Sequence, residues 1–202
     1  MRISNTYGFI FISTPKACTH TIYKILETHY SPLRKYGFHT TKIPTAFRDL
    51  FRWTVCRNPY SRAVSLWWSA CHLHPEDIYG FREKCGSSDN FLIFIEWLAS
   101  TSKWERSQEP LMMSQSKWLE PVEPVNAVHL ENLEGELKGL YFWQDGIELP
   151  RLNTTDQKLL DQGVSHKAPP WQSFYSDKRA IEAVHRWAGE DFKRFGYSHE
   201  IN

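Results

Sequence analysis

The sequence predicts an α/β protein, a three-layer sandwich in which a central parallel β-sheet lies between two layers of helix. Three observations carry this expectation. An apolar run at Phe9–Ile12, a β-branched and aromatic run at Phe51–Cys56 and a further run at Val125–Leu130 have the length and composition of central strands. The first two stop abruptly, at Ser13-Thr14-Pro15 and at Arg57-Asn58-Pro59. Each run is followed by a segment with helical spacing, and alternating strands and helices cover a parallel sheet on both faces.

Taken in order, Phe9–Ile12 leads through a short Lys16 loop into an amphipathic helix with Ile22, Ile25 and Leu26 on one face. Thr19 or Thr21 is expected to cap that helix. Lys35–Thr41 reads as a short second strand or its exit loop, and Ile43–Leu50 as a short helix introduced by Pro44 and Thr45. After the strand Phe51–Cys56, helical spacing resumes over Ser61–Cys71 with Ala63, Val64 and Trp67 on one face. His72–Ser88 is loop-like, Asn90–Ala99 is a strongly apolar helix behind a capping Asp89, and Ser100–Pro110 is polar and irregular. Leu111–Leu119 forms a short helix, then comes the strand Val125–Leu130 with the helix Glu131–Leu140 behind it. Ser176–Phe195 is an amphipathic helix, capped by Ser176 or Asp177 and ended by Gly196.

A chain of 202 residues suits one domain, 1–202, with a well-covered core. Its formal net charge of +1 argues against a broad nucleic-acid surface, which needs a dense basic face. The nine Trp imply a thick core, a groove for a planar or sugar ligand, or both. The four Cys form no CxxC pair and no zinc-type spacing, so no metal site is expected. No signal peptide and no membrane span is read, which places the chain in the cytoplasm.

Ligands of parallel sheets bind at the carboxyl ends of the strands, so the loops after Ile12, Phe38, Cys56 and Leu130 share one rim. A strand, a tight turn bearing Lys16, hydroxyls and a helix start together make an anion site, because free N–H groups, a dipole end and an ammonium converge there. Arg57 follows the next strand, and Ser65 lies eight residues on, about two helical turns. A guanidinium fork and a hydroxyl suit a second phosphate. Two anion sites on one rim fit a nucleotide phosphorylated at both ends of its ribose.

The stretches PKACTHT and RNPYSRAVS, each directly after a strand, resemble the two nucleotide-binding motifs of sulfotransferases that use 3′-phosphoadenosine 5′-phosphosulfate (PAPS). The nearest resemblance is to the carbohydrate branch. It continues through Gln115 with Trp118-Leu119, VHLENL with Glu131, LPRLNTT around Asn153, and the closing EDFKRFGY. This resemblance implies a P-loop-like nucleotide-binding fold, PAPS as co-substrate with PAP as product, no required metal, and a carbohydrate hydroxyl as acceptor. It also implies that Lys16 and the backbone of Ala17, Cys18, Thr19, His20 and Thr21 hold the 5′-phosphosulfate end, with the Thr19, His20 and Thr21 side chains assisting. Arg57 and Ser65 then hold the 3′-phosphate, and His166 with Lys167 lies in a segment that folds over the nucleotide in relatives. Relatives carry a small residue where Cys18 stands and a hydroxyl where His20 stands.

Sulfuryl transfer needs a cation at the departing oxygen, for which Lys16 is placed, and a base for the acceptor proton. A histidine serves best near neutral pH. His39, at the rim end of the second strand, is the expected base; His20 is the expected phosphate or acceptor contact, and His129 a satisfied core residue. Trp171, beside Pro169-Pro170, is a candidate to stack on adenine. Two other readings share these features: a P-loop kinase of a small molecule, which lacks here the GxxxxGK[ST] pattern, and a non-catalytic nucleotide-binding relative.

Overall fold

The structure, a computed structural model, describes residues 1–71, 83, 90–150 and 169–201. Five strands form its sheet: β1 (Arg2–Ser4), β2 (Phe9–Phe11), β3 (Arg34–Lys35), β4 (Phe51–Cys56) and β5 (Asn126–His129). Their spatial order is β3-β1-β2-β4-β5. The three strands read from sequence form the parallel part, β4 pairing with β2 through Phe11 and Trp53 and with β5 through Val55 and Val128. β1 and β3 add an antiparallel margin. The hairpin between β1 and β2 turns at Gly8, with φ of +70°, and the Tyr141 hydroxyl donates to Tyr7 O and Gly8 O at 2.8 and 2.9 Å. A Cβ on Gly8 would come within 3.1 Å of that hydroxyl, so both the turn and the close approach require glycine.

Period-two alternation along β2 assigns its residues to opposite layers. Phe9 and Phe11 pack with Trp53, Val55 and the apolar stripe of α1 (Thr19–His29). Ile10 and Ile12 face the other way, onto Trp118, Leu119 and Phe195. Trp118 and Leu119 belong to α5 (Gln115–Leu119), which follows α2 (Pro59–Cys71), α3 (Phe91–Ser100) and α4 (Lys103–Gln108). Phe195 ends α7 (Lys178–Phe195), which comes after α6 (Leu133–Leu137). A third cluster, of α2, α3 and the first half of α7, extends the core beside the sheet.

The buried stripe of α7 recurs every three or four residues, Ala180, Ala183, Val184, Trp187, Ala188, Asp191, Phe192 and Phe195. Its caps are Asp177, whose side chain accepts from Arg179 N–H, and left-handed Gly196. Helix α3 is capped by Asn90, whose Oδ1 accepts from Leu92 and Ile93 N–H; Asp89 lies outside the described residues. α4 occupies the stretch expected to be irregular, closed at its start by a capping box between Ser102 and Glu105. Among the described residues no helix is long and apolar enough to cross a membrane.

Candidate functional site

The chain leaves β2 through Ile12, whose N–H still bonds Trp53 O at 2.9 Å, and turns sharply over residues 13–18. The base of this turn is fixed by buried hydroxyls. Thr54 Oγ1 donates to Ile12 O at 2.7 Å and lies 2.8 Å from Thr14 Oγ1. Ser13 Oγ accepts from the Tyr23 hydroxyl at 3.0 Å and from His39 N–H at 3.3 Å. Lys16 and Cys18 both take left-handed backbone conformations, φ 65° and 46°. For residues other than glycine such conformations cost on the order of 1–3 kcal/mol each, and they persist where surrounding structure enforces them.

The helix cap differs from expectation. Cys18, not a threonine, is the cap residue of α1, and it makes no side-chain cap bond. The Thr19 hydroxyl turns inward and donates to Thr14 O at 3.2 Å, and Thr21 is likewise buried. Burial drives the Cys18 thiol up to about 12, with Arg57 opposing the shift, so the thiol stays protonated. Left-handed Cys18 also sets a local prediction. Cys18→Val, β-branched, is expected to lower stability by about 2 kcal/mol, a fall of several degrees in Tm. Cys18→Gly should lie within about 1 kcal/mol of the parent in the same thermal melt, because glycine accepts this φ without strain. Equal melting of the two variants would show that the left-handed turn is not imposed on residue 18.

Arg57 begins the second loop, immediately after β4, and its side chain reaches the first. Its Nη1 donates to Lys16 O at 3.2 Å and its Nε to Ser61 Oγ at 2.9 Å. The two loops expected from sequence to bind anions are therefore tied together by one guanidinium. Burial pulls the Arg57 pKa below its ordinary value, with the Glu131 carboxylate opposing. The Asn58 side chain starts α2, its Oδ1 accepting from Tyr60 N–H at 2.9 Å. Ser65 is half-buried two turns further along α2. The four-residue step from Arg57 to Ser61 was the sequence signal for their contact.

His39 stands on the same rim, with φ 43° and its Nδ1 buried without a hydrogen-bond partner among the described residues. Burial, with the positive charges of Arg62 and Lys16 adding to it, lowers its pKa to about 4, so the ring is neutral near pH 7. His20 is exposed, its ring 5.4 Å from Phe38. His129 is satisfied structurally, Nδ1 on Glu136 at 2.9 Å and Nε2 on Phe195 O at 2.7 Å. Trp171 stacks on Tyr60 with ring centroids 6.3 Å apart. His166, Lys167 and Asn153 lie outside the described residues.

Arg62, although charged, is fully buried. Its Nε donates to Pro15 O at 3.1 Å, its guanidinium lies 5.0 Å from the Trp187 ring, and its Nη1 and Nη2 have no hydrogen-bond partner among the described residues. Burial lowers its pKa to about 10, partly offset by Asp191, and it stays charged. Beside this centre a groove of ≈ 920 Å³ opens, bordered by Ser114 and Ser116 on either side of Gln115. Six Lys and Arg side chains line it against three Glu. Among the described residues no three His, Cys, Asp or Glu side chains converge on a metal position.

No curated protein and no solved structure matches the chain. A family model described as the Sulfotransferase family matches residues 1–198, a span that contains the Lys16 and Arg57 loops, the sheet that aligns them and the C-terminal helix. Because the match covers nearly the whole chain, the chain belongs to the sulfotransferase family.

Proposed function

We propose that the chain, acting as one catalytic domain, takes the sulfuryl group from PAPS and delivers it to a carbohydrate hydroxyl without a metal. The observation that carries the reading is the Arg57 bridge to Lys16 O, which sets two anion-binding loops at a fixed separation on the rim. In this reading Lys16 and the backbone from Ala17 to Thr21 face the 5′-phosphosulfate, with His20 at the loop's outer side. Arg57 and Ser65 take the 3′-phosphate, with His166 and Lys167 as further contacts to the nucleotide. As the acceptor oxygen bonds to sulfur, the bridging S–O bond breaks and its electrons pass to the departing PAP oxygen, where Lys16 neutralises the charge. The acceptor proton goes to His39.

The direct test is thermal stabilisation by PAP in EDTA against stabilisation by ATP with magnesium. A kinase needs the metal to bridge nucleotide phosphates. PAP is expected to raise Tm and Mg-ATP to leave it unchanged; the reverse result sinks the sulfotransferase reading in favour of the kinase.

The lowered pKa of His39 makes a pH prediction. kcat/KM reports the free enzyme, and a base works only when deprotonated. Activity should therefore hold through pH 6.5 and fall as pH drops through about 4. An acidic limb near 6.5 that survives in His39→Ala would assign the base to another residue.

The basic groove supports an acceptor that bears carboxylate or sulfate groups. Lys103, Arg186 and Lys193 line it and make no ion pair among the described residues, whereas Lys117 pairs with Glu120 and Arg194 with Glu123. Lys193→Glu is expected to raise KM about fivefold for an acidic oligosaccharide and to leave a neutral one unchanged. Equal effects on both acceptors would exclude the groove from acceptor binding.

A further inference from the structure

The turn that presents Arg57 is held from outside by the carboxyl end of the chain, through two separate relays. In the first, fully buried Gln115 lies across the Arg57 backbone. Its Oε1 accepts from Arg57 N–H and its Nε2 donates to Arg57 O, both at 2.8 Å, as a neighbouring strand would. Behind it stands Asp191 of α7, also fully buried. Asp191 Oδ2 accepts from Gln115 N–H at 2.9 Å and from Gln115 Nε2 at 3.3 Å, and Oδ1 accepts from Ser116 N–H at 2.7 Å. Each amide atom meets the one partner type it can use, so Gln115 has a single orientation. In the second relay, Glu131 Oε1 accepts from Asn58 N–H at 2.8 Å while its Oε2 accepts from the Tyr197 hydroxyl at 2.8 Å.

We propose that Asp191 and Tyr197 are positioning residues for the guanidinium of Arg57, acting through Gln115 and Glu131 to set its aim at the nucleotide's 3′-phosphate. This rests on the reading above that Arg57 receives that phosphate. Consecutive N–H groups, of Arg57 and Asn58, are each fixed by a side chain that is itself held from the segment 191–197. With the backbone pinned there, Nε and Nη1 are engaged by Ser61 and Lys16, and Nη2 has no partner among the described residues. A fork aimed in this way binds one phosphate geometry without reorganising. Residues that touch no ligand thereby govern which nucleotide is preferred.

A merely structural role would weaken every nucleotide alike, so the test compares PAP with AMP, which lacks the 3′-phosphate. Calorimetric titration of both, AMP into the millimolar range, is run on the parent, Tyr197→Phe and Asp191→Asn, with melting curves to confirm folding. Tyr197→Phe keeps the ring and removes only the hydroxyl. It is expected to weaken PAP about fivefold, as for one hydrogen bond, and AMP by less than twofold. Asp191→Asn places an amide N–H against those of Gln115 and is expected to weaken PAP about tenfold or more, again sparing AMP. If Asp191→Asn does not fold, Tyr197→Phe decides. Unchanged PAP binding in Tyr197→Phe, or equal losses for PAP and AMP, overturns the proposal. A parent protein that does not prefer PAP to AMP overturns the nucleotide reading itself, a result distinct from any seen in the variants.

Discussion

Replacing Lys16 by alanine is expected to lower kcat by about 10²–10³-fold while weakening PAP binding by less than tenfold. The difference follows from when charge develops. In bound PAPS the bridging oxygen between phosphorus and sulfur carries little charge; in the transition state it takes the electrons of the breaking S–O bond. A cation placed there binds the transition state better than the ground state, and only such differential binding raises kcat. Lys16 sits at the mouth of the 13–18 turn, in a left-handed conformation held by Arg57 on its carbonyl. Single-turnover rates with PAPS, measured beside PAP affinity, separate the two quantities. Should Lys16→Ala keep kcat within fivefold of the parent, departing charge is neutralised elsewhere, and buried Arg62, whose Nη atoms have no partner among the described residues, becomes the next residue to replace.

The parts of this centre legible in the sequence are those written in local pattern. β2 announces itself because a strand buried on both faces is apolar throughout, β4 by its aromatic and β-branched residues, and α7 because one face of a long helix repeats every three to four residues. β1 and β3, three and two residues long, are too short to show a period, and their pairing is a tertiary choice. The cap of α1 misled for a physical reason. Threonine after a turn usually caps, yet here left-handed Cys18 ends the turn one residue early and sends Thr19 into the core. α4 did carry its signal, Ser102 and Glu105 at capping-box spacing, inside a stretch whose polarity suggested only a loop. Arg62 shows the limit of reading charge as surface, since its burial depends on Pro15 O and Trp187, far away in sequence. The link from Asp191 through Gln115 to Arg57 spans 76 and 58 residues, and no local pattern announces it.

Arg57→Ala is expected to give the opposite signature to Lys16→Ala: PAP affinity down about 10²-fold, with kcat at saturating PAPS within about tenfold. The 3′-phosphate is remote from the breaking bond and its charge does not change during transfer, so whatever holds it contributes equally to ground and transition states. One or two charge-assisted hydrogen bonds, each worth about 1.5–3 kcal/mol, give a loss of that size. Arg57→Lys should recover only part of it, because an ammonium cannot hold Ser61 and Lys16 O while offering a fork to phosphate. The residual effect on kcat comes from that same geometry. Without Nη1 on its carbonyl, Lys16 is less firmly held in its left-handed conformation, and some leaving-group stabilisation is lost with nucleotide affinity. The two variants are therefore coupled: the double substitution should lose less kcat than the product of the single losses. Strict multiplicativity would mean that the Arg57 bridge leaves Lys16 where it was, and that the two loops act on the nucleotide independently.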